Sequence, residues 1–340
     1  MEIFIFGILF GVLIRYANLN RFNVISGDAT LEDLTVAKTI LMVIGVGAIL
    51  LNIEIVLGLA SFHVKPFILG GVIIGGVLFG IGMAILGYCP GTLPISLGEG
   101  SIDALIGIIG GLLGGLVYTL VLPYIQPLLG ANLGQISLSS MLGNSSFLFF
   151  LVLLSFSIIL VALAFILHNF EKRTVKDRIL NYKWVITGIG LAVLNGVVFL
   201  ASTTNRPIGA STSFPYVADY LASSTQNSYF QKIAGAGNWE LIFLAGAFLA
   251  SLVWALIRRE FKFKAVYSRW EKAKGPSVPK RLVWAFAAGF VLIFGARMAG
   301  GCTSGHIISG GMQVAISSLV FGIFVFASFI ITGKIFYRTK

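Results

Sequence analysis

The sequence predicts an all-α polytopic membrane protein of about nine transmembrane helices, built as two inverted four-helix repeats with re-entrant half-helices. Three observations predict this class. The 340 residues are 57% hydrophobic and 11% charged, with a mean hydropathy of +0.95, whereas a soluble domain carries about 25% charged residues. Basic residues cluster on alternate loops. One glycine motif occurs twice, each time around one of the only two cysteines. So few charges do not cover the surface of a soluble enzyme, and so apolar a chain is not disordered. Two cysteines exclude a disulfide scaffold and a clustered thiolate metal site, and no metal or cofactor is expected.

A spanning helix needs roughly 20 mostly apolar residues. Nine runs qualify: 1–17, 35–53, 67–88, 101–122, 147–168, 184–202, 239–257, 281–298 and 311–332. Their length and their Gly, Ala and Leu content read as helix rather than strand. Glu2 follows Met1 directly, with no basic n-region, so the first run is expected to be kept rather than cleaved as a signal peptide.

Orientation follows from the basic residues. One face receives Arg15, Arg21 and Lys38, five residues from Lys172 to Lys183, nine from Arg258 to Arg281, and Lys334, Arg338 and Lys340, which is 20 of the 24. The N-terminal face holds Lys65, Arg206 and Lys232, and Arg297 lies apart, near the end of a span. The expected orientation is therefore N-terminus outside and C-terminus cytoplasmic. The net charge of +11 records topology; membrane lipids are the expected neighbours of these loops, and no nucleic acid is expected as a partner.

The repeat supplies the architecture. Gly82 to Cys89 aligns with Gly295 to Cys302 as Gly-x4-Gly-x-Cys, Ser96 then falls on Ser309, and Gly98 on Gly311. Upstream, Asn20-Arg21 aligns with Asn205-Arg206. Each half thus takes four spans, with the fifth span between them, which turns the second half upside down, as in many secondary transporters. The expected divisions are 1–130 for the first repeat, 131–183 for a linker with the extra span, and 184–340 for the second repeat.

Both motifs read as chain breaks at membrane depth. Pro90 biases Cys89 away from helix, Gly91 permits unusual dihedrals, and 93–100 is too short to span. In the second motif Gly301 and Gly305 flank Cys302, and Thr303 or Ser304 is the expected cap of the next half-helix. Irregular backbone in a bilayer must line a cavity or be buried in protein, and half-helix N-termini attract anions. Arg297 either adds a full charge to such a site or snorkels to the headgroups. A thiol is soft and a weak hydrogen-bonding group, suited to a sulfur-bearing substrate; packing, or a Cys89–Cys302 disulfide, is the alternative. His306 is open between binding a substrate or proton and packing. Glu99 is a candidate brace of the first motif, and Asp103 a first-turn residue matched to the helix dipole. The stretches 20–27 and 205–213 read as re-entrant turns or as surface loops. No intramembrane acidic pair is legible as a proton relay, which favours facilitated movement.

Gly-Gly-Cys-Thr-Ser-Gly-His-Ile-Ile-Ser-Gly over 300–310, with Arg297 ahead, resembles the second signature of the YeeE/YedE sulfur-transport family, and Gly87-Tyr88-Cys89-Pro90-Gly91 through Gly98-Glu99-Gly100 resembles the first. Phe22-Asn23 resembles that family's first re-entrant segment. The resemblance implies a non-enzymatic importer of thiosulfate or a related sulfur ion in the bacterial inner membrane, shaped as an hourglass in which Cys89 and Cys302 pass the ion along. It also implies a small cytoplasmic sulfur-carrier protein as a partner. Members of the thiosulfate type often carry a third cysteine just before the Phe-Asn pair; here Arg21 stands there, substituting charge for soft contact. The substrate path expected on this basis comprises Cys89, Cys302, Arg297, Thr303, Ser304, His306, Arg21, Asn23 and Glu99, with chain breaks at Gly87, Pro90, Gly91, Gly301 and Gly305. The alternative class is a membrane-embedded thiol oxidoreductase or sulfur-transfer subunit.

Overall fold

The computed structural model describes residues 1–143, 146–174 and 181–338; of the basic residues assigned to the cytoplasmic face, Lys176, Arg178 and Lys340 lie outside the described residues. Every regular element among those residues is helical. In chain order they are α1 (Glu2–Tyr16), α2 (Phe22–Ala29), α3 (Thr35–Val56), α4 (Leu69–Leu86), α5 (Thr92–Gly98), α6 (Ile102–Leu129), α7 (Leu138–Leu142), α8 (Phe147–Thr174), α9 (Lys183–Phe199), α10 (Ser213–Leu221), α11 (Ser228–Ile257), α12 (Ser268–Lys274) and α13 (Val278–Met298). A π-helical turn (Thr303–Ile308) then runs into α14 (Ser309–Met312), and α15 (Ile316–Phe336) closes the chain.

All nine expected runs are helical. Seven of them (α3, α4, α6, α8, α11, α13 and α15) are long and apolar enough to cross a membrane, while α1 and α9 have 15 and 17 residues. The protein is a multi-pass helical membrane protein. Two boundaries differ from expectation for local reasons. Helix α11 starts at Ser228 rather than near 239, because the Asn227 side chain accepts from Phe230 N at 2.7 Å and caps a polar first stretch. Helix α15 starts at Ile316 rather than 311, because Val314 adopts φ 47° and separates it from α14.

Small residues hold the bundle together. A Cβ on Gly289 of α13 would sit 2.2 Å from the Gly107 carbonyl of α6, and one on Gly75 of α4 would sit 2.6 Å from the Gly295 carbonyl of α13. Backbones in direct contact give the close packing on which helix association in lipid depends. The pairings come in matched sets: α13 on α6 and α15 on α4; α1 on α11 and α9 on α3; α5 on α11 and α14 on α3; α10 on α6 and α2 on α15. Helix α8 presents Leu151, Leu154, Ile158 and Ile166 outward, a surface that lipid tails solvate.

Of the elements too short to cross, α2, α5, α10 and α14 are largely buried within the bundle, whereas α7 and α12 lie at its surface. Thr92–Gly98 is the short helix expected at 93–100. The stretch at 20–27 is not a surface loop: it forms α2, whose Phe22, Ile25 and Ala29 are buried. Its counterpart at 205–213 leads into α10.

Glycine acts differently at different breaks. Gly87 ends α4 at φ +74°, and a Cβ there would lie 2.3 Å from Phe22; Gly300, its counterpart, has φ +75° with open space around it. Gly91 does not use unusual dihedrals, contrary to expectation: it sits at φ −74°, ψ −28°, an ordinary helical geometry. Gly300→Ala should therefore cost only the left-handed penalty, about 1–2 kcal/mol. Gly87→Ala should cost more, since it also displaces a buried ring. Thermal melts in detergent should show the larger fall for Gly87→Ala; equal falls would mean that Phe22 does not pin this break.

Candidate functional site

The first break is locked by a buried charge pair. The last carbonyls of α4 have no intrahelical donors, and Arg281 supplies them: Nη1 donates to Ile85 O at 3.0 Å and Nη2 to Leu86 O at 2.6 Å. The same guanidinium donates to Asp103 Oδ2 through Nη2 at 2.7 Å and Nε at 3.1 Å, and it lies over the Phe22 and Trp270 rings. Tyr88 OH also reaches Asp103, at 3.3 Å. Asp103 is a first-turn residue as expected, and it is an ion-pair partner as well. Thr92 Oγ1 accepts from Cys89 N at 2.9 Å and donates to Cys89 O at 3.1 Å. The half-buried Cys89 thiol is thereby held in one place.

The second break is built on His306. Its Nε2 lies 2.8 Å from Ala299 O and its Nδ1 2.9 Å from Ser318 Oγ. A carbonyl only accepts, so Nε2 carries the proton and Nδ1 accepts from Ser318. Both ring nitrogens are engaged, the ring is buried, and it lines none of the cavities described below. Neither Thr303 nor Ser304 caps the helix that follows, a correction to the expected role. Cys302 is the residue before the π-helical turn, and its carbonyl accepts from His306 N at 2.7 Å. Cys302 Sγ is 3.3 Å from Ser304 Oγ, and the buried Thr303 Oγ1 has no hydrogen-bond partner. Both thiols are free.

Three cavities meet at these breaks. The first, about 80 Å³, opens on the N-terminal face among Lys65, Arg206, Ser211, Thr212 and Glu240 and reaches Gly301, Cys302 and Gly305. The second, about 60 Å³, is apolar and is lined by Thr303, Ser304, Cys89, Gly91 and Thr92. The third, about 630 Å³, lies toward the opposite face and is lined by Tyr88, Glu99, Asn20, Arg21, Asn23 and others. Cys302 lines the first cavity and Thr303 the second, and Cys89 lines the second and Tyr88 the third.

The first cavity is cationic. Lys65 Nζ donates to Gly300 O at 2.6 Å, and it would lie 3.1 Å from a Cβ on Gly301. Arg206 lies over the Trp239 ring, 3.9 Å from Glu240. Arg297 does not snorkel. It is buried, donating through Nη1 to Ser211 Oγ at 3.1 Å and Thr212 Oγ1 at 3.0 Å, and through Nε to Tyr229 OH at 2.8 Å. Because Ser211 and Thr212 accept from Arg297, their own hydroxyl protons are left to donate into the cavity. Burial lowers the Lys65 pKa from its usual value and the Arg297 charge lowers it further, against opposing pulls from Glu240 and Cys302. Two cations, Lys65 and Arg206, thus line the cavity with one carboxylate, and Arg297 adds a third positive charge behind Ser211 and Thr212, an arrangement suited to an anion.

The third cavity mixes charges. Glu99 pairs with Arg15 and accepts from Asn20 Nδ2, so it braces the first motif. Arg15 Nη2 also donates to Glu260 at 2.9 Å. Arg21, half exposed, is 3.6 Å from Glu260. Asn23 donates to Ser268 Oγ at 2.9 Å.

The model of the family described as sulphur transport matches residues 18–331, which takes in both breaks. The chain belongs to the sulphur transport family. The thiosulfate transporter TsuA of Spirochaeta thermophila is 26% identical over 336 residues, covering 94% of this chain and 93% of that protein. This family membership makes the chain a membrane transporter. Against that background, Lys65 and Arg281 are the residues that motif reading passed over. Lys65 carries a signal in the sequence: it is a basic residue on the face that holds only three.

Proposed function

We propose that the protein imports thiosulfate, or a related sulfur dianion, across a bacterial inner membrane, with its N-terminus outside and C-terminus in the cytoplasm. The observation that carries this reading is a basic cavity that ends on one thiol, next to an apolar chamber, lined by Thr303 and Ser304, that holds the other. Lys65 and Arg206 draw the anion in. Ser211 and Thr212, held by Arg297, donate to its oxygens as it loses water. The sulfur atom then meets Cys302 and Cys89 in turn, where polarisable contacts offset the loss of hydration. The partnerless Thr303 hydroxyl is a spare donor in the chamber. Arg21 attracts the ion into the third cavity by charge, where a third thiol would have acted by softness. The name of the TsuA relative supports thiosulfate as the cargo. The matched helix pairings support two inverted halves over 1–130 and 184–340, joined by 131–183. Basic residues near the third cavity (Arg21, Lys264 and Arg269) form the proposed docking face for a small sulfur-carrier protein.

The test is uptake of labelled thiosulfate by proteoliposomes with no redox partner, in competition with sulfate, sulfite and selenite. Uptake blocked by unlabelled thiosulfate far better than by equal sulfate is expected; no uptake would refute the reading. Lys65→Met should raise the half-saturating concentration by at least about tenfold, the worth of one charge-assisted hydrogen bond to the anion at about 1.5 kcal/mol or more. Its maximal rate should change little, and an unchanged half-saturating concentration would remove Lys65 from the capture step.

A further inference from the structure

Among the buried acids that the transport reading leaves unused, Asp28 is the one on a helix between two cavities. Asp28, near the end of α2, is 3% exposed, and neither of its carboxylate oxygens has a partner at hydrogen-bonding geometry. Its place on the helix adds to the cost of a negative charge, because the C-terminal end of a helix carries the negative pole of the dipole. An ionised carboxylate buried this deeply beside other carboxylates is costly, and such a group ordinarily keeps its proton.

The surroundings reinforce this. Asp33 and Glu171, both buried, act on Asp28 as like charges, while the Ala37 backbone N–H and the Lys38 charge act more weakly in the opposite sense. Lys38 of α3 is buried and committed to an ion pair with Glu171 of α8. His168 of α8 lies beyond Lys38. From α12, Arg269 is engaged by Glu32 at 3.0 Å and Thr30 at 2.9 Å. Helix α4 has no charged residue, and the single charge of α15, Lys334, is exposed. Asp33, whose charge acts on Asp28, lines the third cavity.

Helix α2 is also the wall between two cavities. Its Ile25 lines the second, and its Phe22, Asn23 and Val24 line the third. It is seated tightly, since a Cβ on Gly333 of α15 would lie 2.4 Å from Ala29 O. Its Phe22 ring packs over the Gly87 break.

We propose that Asp28 is a proton-binding site, loaded from the third cavity, that gates passage between the second and third cavities. The inference rests on the transport reading and adds to it. With Asp28 neutral, α2 keeps its seat and the passage stays closed. When the proton leaves, repulsion from Asp33 and Glu171 and the helix dipole unseats α2, and the anion passes into the third cavity. Ionisation thus favours the open arrangement, and the two states differ by the coupling that one charge imposes.

Thiosulfate uptake into proteoliposomes, with equal pH on both faces, tests this. Between about pH 5 and pH 9, a span chosen to bracket a raised carboxyl, wild-type uptake should rise at least about fivefold. Asp28→Asn, neutral and of the same shape, should stay flat at the low-pH level. An Asp28→Asn profile that follows the wild type overturns the proposal. Infrared difference spectra give a readout independent of transport. The wild type should show a protonated-carboxyl component that fades as pH rises and is lost in Asp28→Asn, and a wild-type-minus-variant difference without that component overturns the assignment. A correct band with no uptake at any pH would keep the proton site and count against the transport reading instead.

Discussion

Cys302→Ser should cut thiosulfate uptake at least about tenfold, equivalent to about 1.4 kcal/mol on the barrier, while leaving the melting temperature nearly unchanged. Cys302 is buried at the end of the cationic cavity, and the two residues after it line the next chamber. An ion moving between those cavities passes its sulfur. Serine keeps a hydrogen-bond donor at the same place and still reaches toward Ser304, so shape and hydrogen bonding are nearly conserved. What changes is polarisability and radius, which are the properties a sulfur-bearing ion uses when water has been stripped away. Cys302→Ala separates the two contributions: it removes the donor as well, and should transport no better than serine. Cys89→Ser tests the same chemistry one chamber further on. Wild-type rates in both serine variants would refute the thiol path without touching family membership.

The crossing helices were legible because hydrophobic length in a bilayer is nearly sufficient to define them. The exceptions show where that rule stops. Helix α11 extends back through 228–238, a stretch too polar to read as membrane, because a local cap and tertiary packing stabilise it. The two breaks were legible from equal spacing around Cys89 and Cys302, yet the role of each residue within them was not. Gly87 needs its left-handed geometry and Gly91 does not; the residue type is the same, and only the backbone decides. Thr303 and Ser304 had the chemistry of caps, but the second break is held by His306 bonding across to Ala299 and Ser318. Partners distant in sequence were not legible at all. Arg281 reads as one more basic residue at a helix start, and its carboxylate stands 178 positions away. Asp28 stands just past the polar stretch 20–27 and drew no reading from the sequence, and only the seating of α2 shows that it is buried.

Arg281→Met should abolish most folded protein, and pairing it with Asp103→Asn should restore much of it. Both side chains are fully buried. Removing the guanidinium leaves Asp103 as an uncompensated charge, which costs about 3–5 kcal/mol in buried pairs of this kind, a large share of the stability of a typical domain. It also strips donors from the Ile85 and Leu86 carbonyls that end α4. Asp103→Asn alone leaves a buried arginine with four of its contacts intact, namely two carbonyls and two aromatic faces. It should therefore be milder than Arg281→Met. The double variant carries no charge at either position, and Tyr88 OH can still meet the amide that replaces the Asp103 carboxylate, so the remaining deficit is a Leu86 carbonyl that has lost the Arg281 donor and an Ile85 carbonyl that keeps only the Tyr337 hydroxyl. Fluorescence-detected size-exclusion and thermal melts should rank the proteins wild type, Asp103→Asn, double variant, then Arg281→Met. If the double variant is no better than Arg281→Met, capping of α4 rather than charge compensation is what Arg281 provides, and the position of Cys89 depends on those two carbonyls.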